Sequence, residues 1–143
     1  MFKRILFLTA ALLFFSLPAQ SEMKIIVHNS VSNSSVSTYT LSRIYAMQLK
    51  NWNGGQSIKV YMLPSRHKLH REFSLKTLKM PTHQLDRLWN RLIFTGTGRT
   101  PEVVSSENEM LEKVRSTPGA IGYVNSNLSL EGIKVLNVGQ NNE

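Results

Sequence analysis

The sequence contains no cysteine among its 143 residues. This absence excludes disulfide bonds, thiol catalysis, cysteine-based metal sites and a lipid-modified cysteine. Acidic residues are also scarce, because 9 Asp plus Glu stand against 17 Lys plus Arg, which gives a formal net charge of +8. The core must therefore be stable without cross-links, and the basic surface favours anionic solutes, glycans or lipid headgroups. The alternative is that the charge serves solubility alone.

Long hydrophobic runs are absent except at the start of the chain. The basic beginning MFKR is followed by an apolar run over residues 5–15 and then by small residues. This order predicts a cleaved signal peptide over 1–21, with the cleavage position left open between Ala19 and Ser21. The run has about 11 residues and a membrane-spanning helix needs roughly 20, so a retained anchor is the weaker alternative. We therefore expect a periplasmic protein without a stable membrane anchor and without a nucleic-acid partner.

Residues 22–143 are enough for one domain. Short β-branched apolar runs predict four strands, MKIIVH, IKVYML, AIGYV and IKVLNV. Apolar residues at helical spacing predict helices between them: from Thr40 towards Asn53, over His67 to Leu78, over Leu85 to Ile93, and after the capping-box sequence SENE that begins at Ser106. Strands that alternate with helices predict an α/β fold, a mixed sheet flanked by helices.

Several segments of the chain, in this order, carry a family resemblance: LSRIYAMQLKNWNGG, a strand and helix ending in REF, WNRLIFTG, and EMLEKVRSTPGAIGYV. Together they resemble the PstS-like phosphate-binding branch of the periplasmic solute-binding proteins, and in particular its short single-lobe relatives. The similarity runs from about Lys24 to Val138, and its most specific piece is PGAIGYV. It implies a single lobe of the type II periplasmic-binding-protein-like fold.

The resemblance also implies a ligand and partners. Members of this family enclose phosphate between two lobes, with an Arg beside a Ser-Gly-Thr turn, and deliver it to an ABC permease. In this chain PSRHKLHR stands where the Ser-Gly-Thr turn would be expected. The resemblance therefore predicts a module that binds phosphate or a related oxyanion weakly. The alternative is an accessory module that kept the fold, lost the ligand and binds another envelope protein.

Candidate ligand-binding residues fall into four groups. Basic residues gather at a predicted helix start, glycines let successive amides point at an anion, and hydroxyls follow a strand or precede a helix. These candidates are Arg66, His67 and Arg71; Thr95, Gly96, Thr97 and Arg99; Ser105; and Ser30. Solvated charges, an ordinary loop and helix capping are the competing interpretations.

Catalytic and metal-binding patterns are weak. His67 and His70 are three residues apart, but two ligands without matching carboxylates do not make a metal site. Neither a Ser-His-Asp order nor a glycine-rich nucleotide loop stands out in the sequence. We therefore predict neither an enzyme, nor a metal site, nor a cofactor.

Overall fold

A computed structural model describes residues 22–96 and 98–139 of the chain. The predicted signal peptide, Thr97 and residues 140–143 lie outside the described residues. Within the described ranges, every helix is too short or too polar to cross a bilayer.

Six strands form one mixed sheet in the order β2-β6-β1-β5-β3-β4. They are β1 Met23–Val27, β2 Ser35–Ser37, β3 Lys59–Met62, β4 Glu102–Val103, β5 Ala120–Asn125 and β6 Lys134–Gly139. Strand β3 is parallel to β4 and β5, whereas β1 is antiparallel to both of its neighbours, β5 and β6. The predicted α/β fold with a mixed sheet is confirmed. The sequence patterns did not predict the short strands β2 and β4.

In the described part of the chain four α-helices accompany the sheet: α1 Thr38–Tyr45, α2 Lys68–Glu72, α3 Thr82–Thr95 and α4 Glu107–Ser116. A π-helical turn, Phe73–Thr77, continues α2. The helix predicted over this region is therefore continuous, and it changes from α-helical to π-helical at Phe73. The predicted cap of α4 is confirmed, because the Ser106 hydroxyl accepts the N–H of Glu109 at 3.1 Å.

Helix α1 ends at Tyr45, well before Asn53-Gly54-Gly55, where the sequence predicted its end. Met47 adopts a left-handed φ of 61° just after the helix, and its N–H donates to the Ile44 carbonyl at 3.0 Å. A left-handed residue at this position satisfies the last carbonyls and stops a helix, and it is usually a glycine. The prediction was wrong here because methionine gives no such signal.

A group of aromatic rings fills the core under β3 and β5. Tyr123 stacks on Phe73 with ring centroids 4.0 Å apart, and Tyr45 meets Phe73 edge-on at 4.7 Å. The polar ends are satisfied: the Trp89 Nε1–H donates to the Tyr45 carbonyl at 2.8 Å, and the Tyr45 hydroxyl donates to the Tyr61 carbonyl at 3.0 Å. The rings therefore add packing energy without leaving unpaired donors.

The PGAIGYV segment holds the sheet close to its surroundings through its two glycines. A Cβ on Gly119, which has a φ of +78°, would lie 2.2 Å from the Ser57 carbonyl oxygen. A Cβ on Gly122 would lie 2.4 Å from the Met110 sulfur of α4. Neither position accommodates a Cβ unless its neighbours shift, and Gly119 also has a left-handed φ, so close packing and backbone conformation together explain these glycines.

Candidate functional site

The carboxyl ends of the parallel strands form one edge of the sheet, which we call the carboxyl edge. The segments that leave β3 and β4 lie side by side there, because the Val104 N–H donates to the Met62 carbonyl at 2.8 Å. Helices α2 and α4 begin directly after these segments. Helix starts carry unpaired amides and partial positive charge, so this edge is the natural place for an anion in such a fold.

At the start of α4 the chain supplies its own anions. The backbone N–H of Ser105 donates to Glu109 Oε2 at 2.6 Å, and the Ser105 hydroxyl donates to the same oxygen. These hydrogen bonds, the one from the hydroxyl above all, hold the pKa of Glu109 below its ordinary value. The Asn125 N–H, at the end of β5, donates to Glu107 Oε1 at 2.6 Å. The donors that a bound oxyanion would use are thus taken by carboxylates of the chain.

At the start of α2 the pattern is different. The His67 ring accepts the Leu69 N–H through Nδ1 at 3.1 Å and so caps the helix. Ser65 donates its hydroxyl to Asp86 Oδ1 at 2.9 Å. Arg66 and Arg71 are exposed, and neither side chain forms an ion pair or hydrogen bond within the part of the chain that the structure describes. Positive charge without a carboxylate partner therefore remains before α2, at Arg66, and in its last turn, at Arg71.

Ser30 lies at the opposite edge of the sheet. Its loop follows β1, and β1 is antiparallel to β5, with Val27 opposite Ile121 near the start of β5. The Ser30 hydroxyl accepts the Gly119 N–H at 3.2 Å and a Gln56 side-chain N–H at 2.9 Å. The structure therefore places Ser30 away from Arg66, because β1 runs antiparallel to β5 and the loop after β1 lies near the start of β5.

The glycine-bearing segment after α3 is also away from the carboxyl edge. Thr95 belongs to the last turn of α3 and donates its hydroxyl to the Arg91 carbonyl at 2.8 Å, and Gly96 ends the helix with a left-handed φ of 62°. Arg99 lines a groove beside Lys59, at the amino end of β3. Since Arg66 follows the other end of β3, the structure does not bring Arg99 to Arg66. Thr97 lies outside the described residues.

A buried polar group near α2 escaped the sequence patterns. Tyr123 accepts the Leu63 N–H at 2.9 Å, and its hydroxyl is hydrogen-bonded to Nδ1 of the fully buried His70. Burial lowers the pKa of His70 to about 4, against a smaller opposing effect of the Asp86 carboxylate. His70 is therefore neutral at pH 7, and its Nε2 has no partner among the described residues. A histidine between Leu69 and Arg71 in KLHRE gives no sign of burial in the sequence.

No protein-family model matches the sequence, and no curated protein matches it. The solved structures that share its fold include three phosphate-transport proteins. One is an ABC-type phosphate transport receptor from Vibrio cholerae, 17% identical, with a TM-score of 0.63 over 82% of this chain and 46% of that chain. A second, assigned as a phosphate ABC transporter substrate-binding protein and solved with bound phosphate, comes from Clostridium perfringens; it is 13% identical, with a TM-score of 0.67 over 82% and 45%.

The third is PstS from Borrelia burgdorferi, 20% identical, with a TM-score of 0.59 over 82% of this chain and 47% of that chain. The resemblance read from the sequence is therefore confirmed at the level of the fold. This chain spans less than half of the length of these three receptors.

Proposed function

We propose that this chain is a non-enzymatic, periplasmic binding-protein-like module that holds phosphate or a related oxyanion weakly at the carboxyl edge of its sheet. The observation that carries the proposal is the unpaired Arg66 between the end of β3 and the start of α2. The fold similarity to phosphate receptors supports the ligand class, and the predicted signal peptide supports the compartment.

Weak binding follows from the environment of Arg66. The side chain is exposed, so a phosphate beside it stays in contact with water, where one charge pair at 4 Å is worth about 1 kcal/mol. Glu107 and Glu109 already take the N–H groups of Asn125 and Ser105, and they repel a further anion. A dissociation constant of about 1 mM corresponds to roughly 4 kcal/mol, which a few exposed contacts can supply.

Titration of residues 22–143 with inorganic phosphate, followed by calorimetry and by amide shifts in NMR spectra, tests this proposal. We expect saturable shifts at Ser65, Arg66 and Lys68 in the millimolar range, and a loss of about fivefold or more in affinity for Arg66→Gln. Arg91→Gln removes an equally exposed arginine from α3 and serves as the control. No saturable shift, or equal affinity in both variants, would refute it.

A second candidate is a protein-interaction module that kept the fold and lost the ligand. It is favoured by the internal carboxylates, because Ser105 and Asn125 donate to glutamates of the same chain. Photo-crosslinking from position 66, compared with position 54 at the other edge, would separate the candidates in intact envelopes. A single saturable protein adduct from position 66, together with no phosphate shifts in the purified protein, would favour the interaction module.

A further inference from the structure

A groove of about 550 Å³ opens beside the amino end of β3, on the side away from the proposed phosphate position. One wall is the segment after α1, from Met47 to Lys50, and the other is the segment from Gly98 to Glu102. Strand β4 pairs with β3 only at Tyr61 and Met62, so Lys59 and Val60 lie on the open part of the strand. The volume falls in the range of about 300–1,000 Å³ that is typical of small-molecule sites.

The floor and one wall of the groove are apolar. Ile58, Val60 and Tyr61 form the floor with small exposed fractions of 8%, 7% and 5%. Met47 and Leu49 form the wall and are only partly buried. Met47 adopts a left-handed φ of 61°, which strains its backbone and would not strain that of a glycine. Unlike a glycine, however, Met47 lines the groove with a thioether side chain.

The rim of the groove is cationic. Lys50, Lys59 and Arg99 all line it, and none of the three forms an ion pair or hydrogen bond through its side chain within residues 22–96 and 98–139. The one carboxylate on the rim, Glu102, pairs with Lys113 at 3.7 Å. An apolar body therefore fits the floor while a negative head group meets uncompensated positive charge at the rim.

We propose that this groove binds a small amphiphilic organic anion, a carboxylate carried on an aliphatic chain. An inorganic oxyanion would leave the apolar floor uncovered. A neutral amphiphile would leave the positive charge of the rim uncompensated, and the rim would repel a cationic amphiphile. The proposal is independent of phosphate binding at Arg66, because the groove lies at the other end of β3.

Three probes test the two halves of this ligand separately: octanoate carries tail and negative charge, octylammonium carries the same tail with positive charge, and inorganic phosphate carries charge without a tail. We expect octanoate to cause saturable amide shifts at Leu49, Lys59 and Gly98, with a dissociation constant of millimolar or below. Octylammonium should bind at least tenfold more weakly, and phosphate should leave these three amides unshifted.

A double variant, Lys59→Gln with Arg99→Gln, should weaken octanoate binding by about fivefold or more. The matched control, Lys76→Gln with Arg91→Gln, removes the same charges from exposed positions outside the groove and should bind octanoate as the unaltered protein does. Equal shifts with octanoate and octylammonium, or unchanged octanoate affinity in the groove double variant, would overturn the proposal.

Discussion

The PGAIGYV segment and the carboxyl edge differ in the contacts that they make: the first packs closely through its glycines, and the second is formed by polar and charged groups. In PGAIGYV, Gly119 and Gly122 leave no room for a Cβ, because the segment packs closely against the Ser57 carbonyl and Met110. At the edge, Glu107 and Glu109 accept the N–H groups of Asn125 and Ser105, whereas the side chains of Arg66 and Arg71 near α2 have no partner among the described residues. The glycines therefore shape the fold, whereas the carboxyl edge combines donors that the chain satisfies itself with positive charge that it leaves uncompensated.

The largest effect is expected where the packing role is strictest. Gly119→Ala should lower the free energy of unfolding by about 3 kcal/mol or more, because overpacking adds to the cost of a left-handed φ. The new Cβ would meet the Ser57 carbonyl at 2.2 Å. Gly54→Ala is the control, since a Cβ there would lie 3.8 Å from its nearest neighbour, the Ser32 hydroxyl. Urea unfolding of both variants measures the difference, and similar values would contradict the packing interpretation of PGAIGYV.

Acid should lower the stability of the core, through His70, at a higher pH than it affects the carboxylates of the carboxyl edge. The folded pKa of His70 is about 4, below its ordinary value of 6.5, so the unfolded chain binds the extra proton between these values. The free energy of unfolding should therefore fall by up to about 3 kcal/mol as the pH drops from about 6.5 to about 4, and this contribution should be intact above pH 6.5.

Urea unfolding at pH 7.0 and pH 4.5 measures this loss. The variant His70→Gln keeps a group that can accept the Tyr123 hydroxyl and removes the titration, so its stability should depend less on pH than that of the unaltered protein. An equal fall in both proteins would show that His70 is not the group responsible.

Met47 offers a smaller test, at a site where strain and packing oppose each other. Met47→Gly should change the free energy of unfolding by less than about 1 kcal/mol, because relief of the strain at a φ of 61° offsets the lost side-chain packing and the greater freedom of glycine in the unfolded chain. The same variant should weaken octanoate binding by removing part of the apolar wall. Tyr39→Gly, in an ordinary helical position of α1, should destabilise the protein by about 1 kcal/mol. A loss of stability in Met47→Gly as large as that in Tyr39→Gly would contradict the strain assigned to Met47.

The local pattern of the sequence predicted most elements because each depends on neighbouring residues. The strand MKIIVH, the strand AIGYV and the Ser106 cap are determined by apolar periodicity and by a hydroxyl three residues before a glutamate. Strand direction is not encoded in this way. An alternating or continuous apolar run reads the same in both directions, so the antiparallel course of β1 and the position of Ser30 could not be predicted.

The candidate site was predictable only in part, for a related reason. Arg66 was found because its basic neighbours lie at a helix start, but the partner of Ser105 is Glu109, a residue already explained by the capping box. Gly96 was assigned to an anion-binding loop, whereas it ends α3, and both roles need the same residue. The groove joins Met47, Lys59 and Arg99 from distant parts of the chain, and only the folded structure brings them together.

Phosphate titration of Glu109→Ala, with Glu112→Ala as the control, tests most directly whether the chain's own carboxylates weaken phosphate binding at the carboxyl edge. Both variants remove one glutamate from α4, but only Glu109 holds the N–H and hydroxyl of Ser105. We predict that Glu109→Ala binds phosphate about threefold to fivefold more tightly, a gain of under 1 kcal/mol, and that Glu112→Ala changes the affinity less. Unchanged affinity in Glu109→Ala, or micromolar affinity in the unaltered protein, would contradict the account.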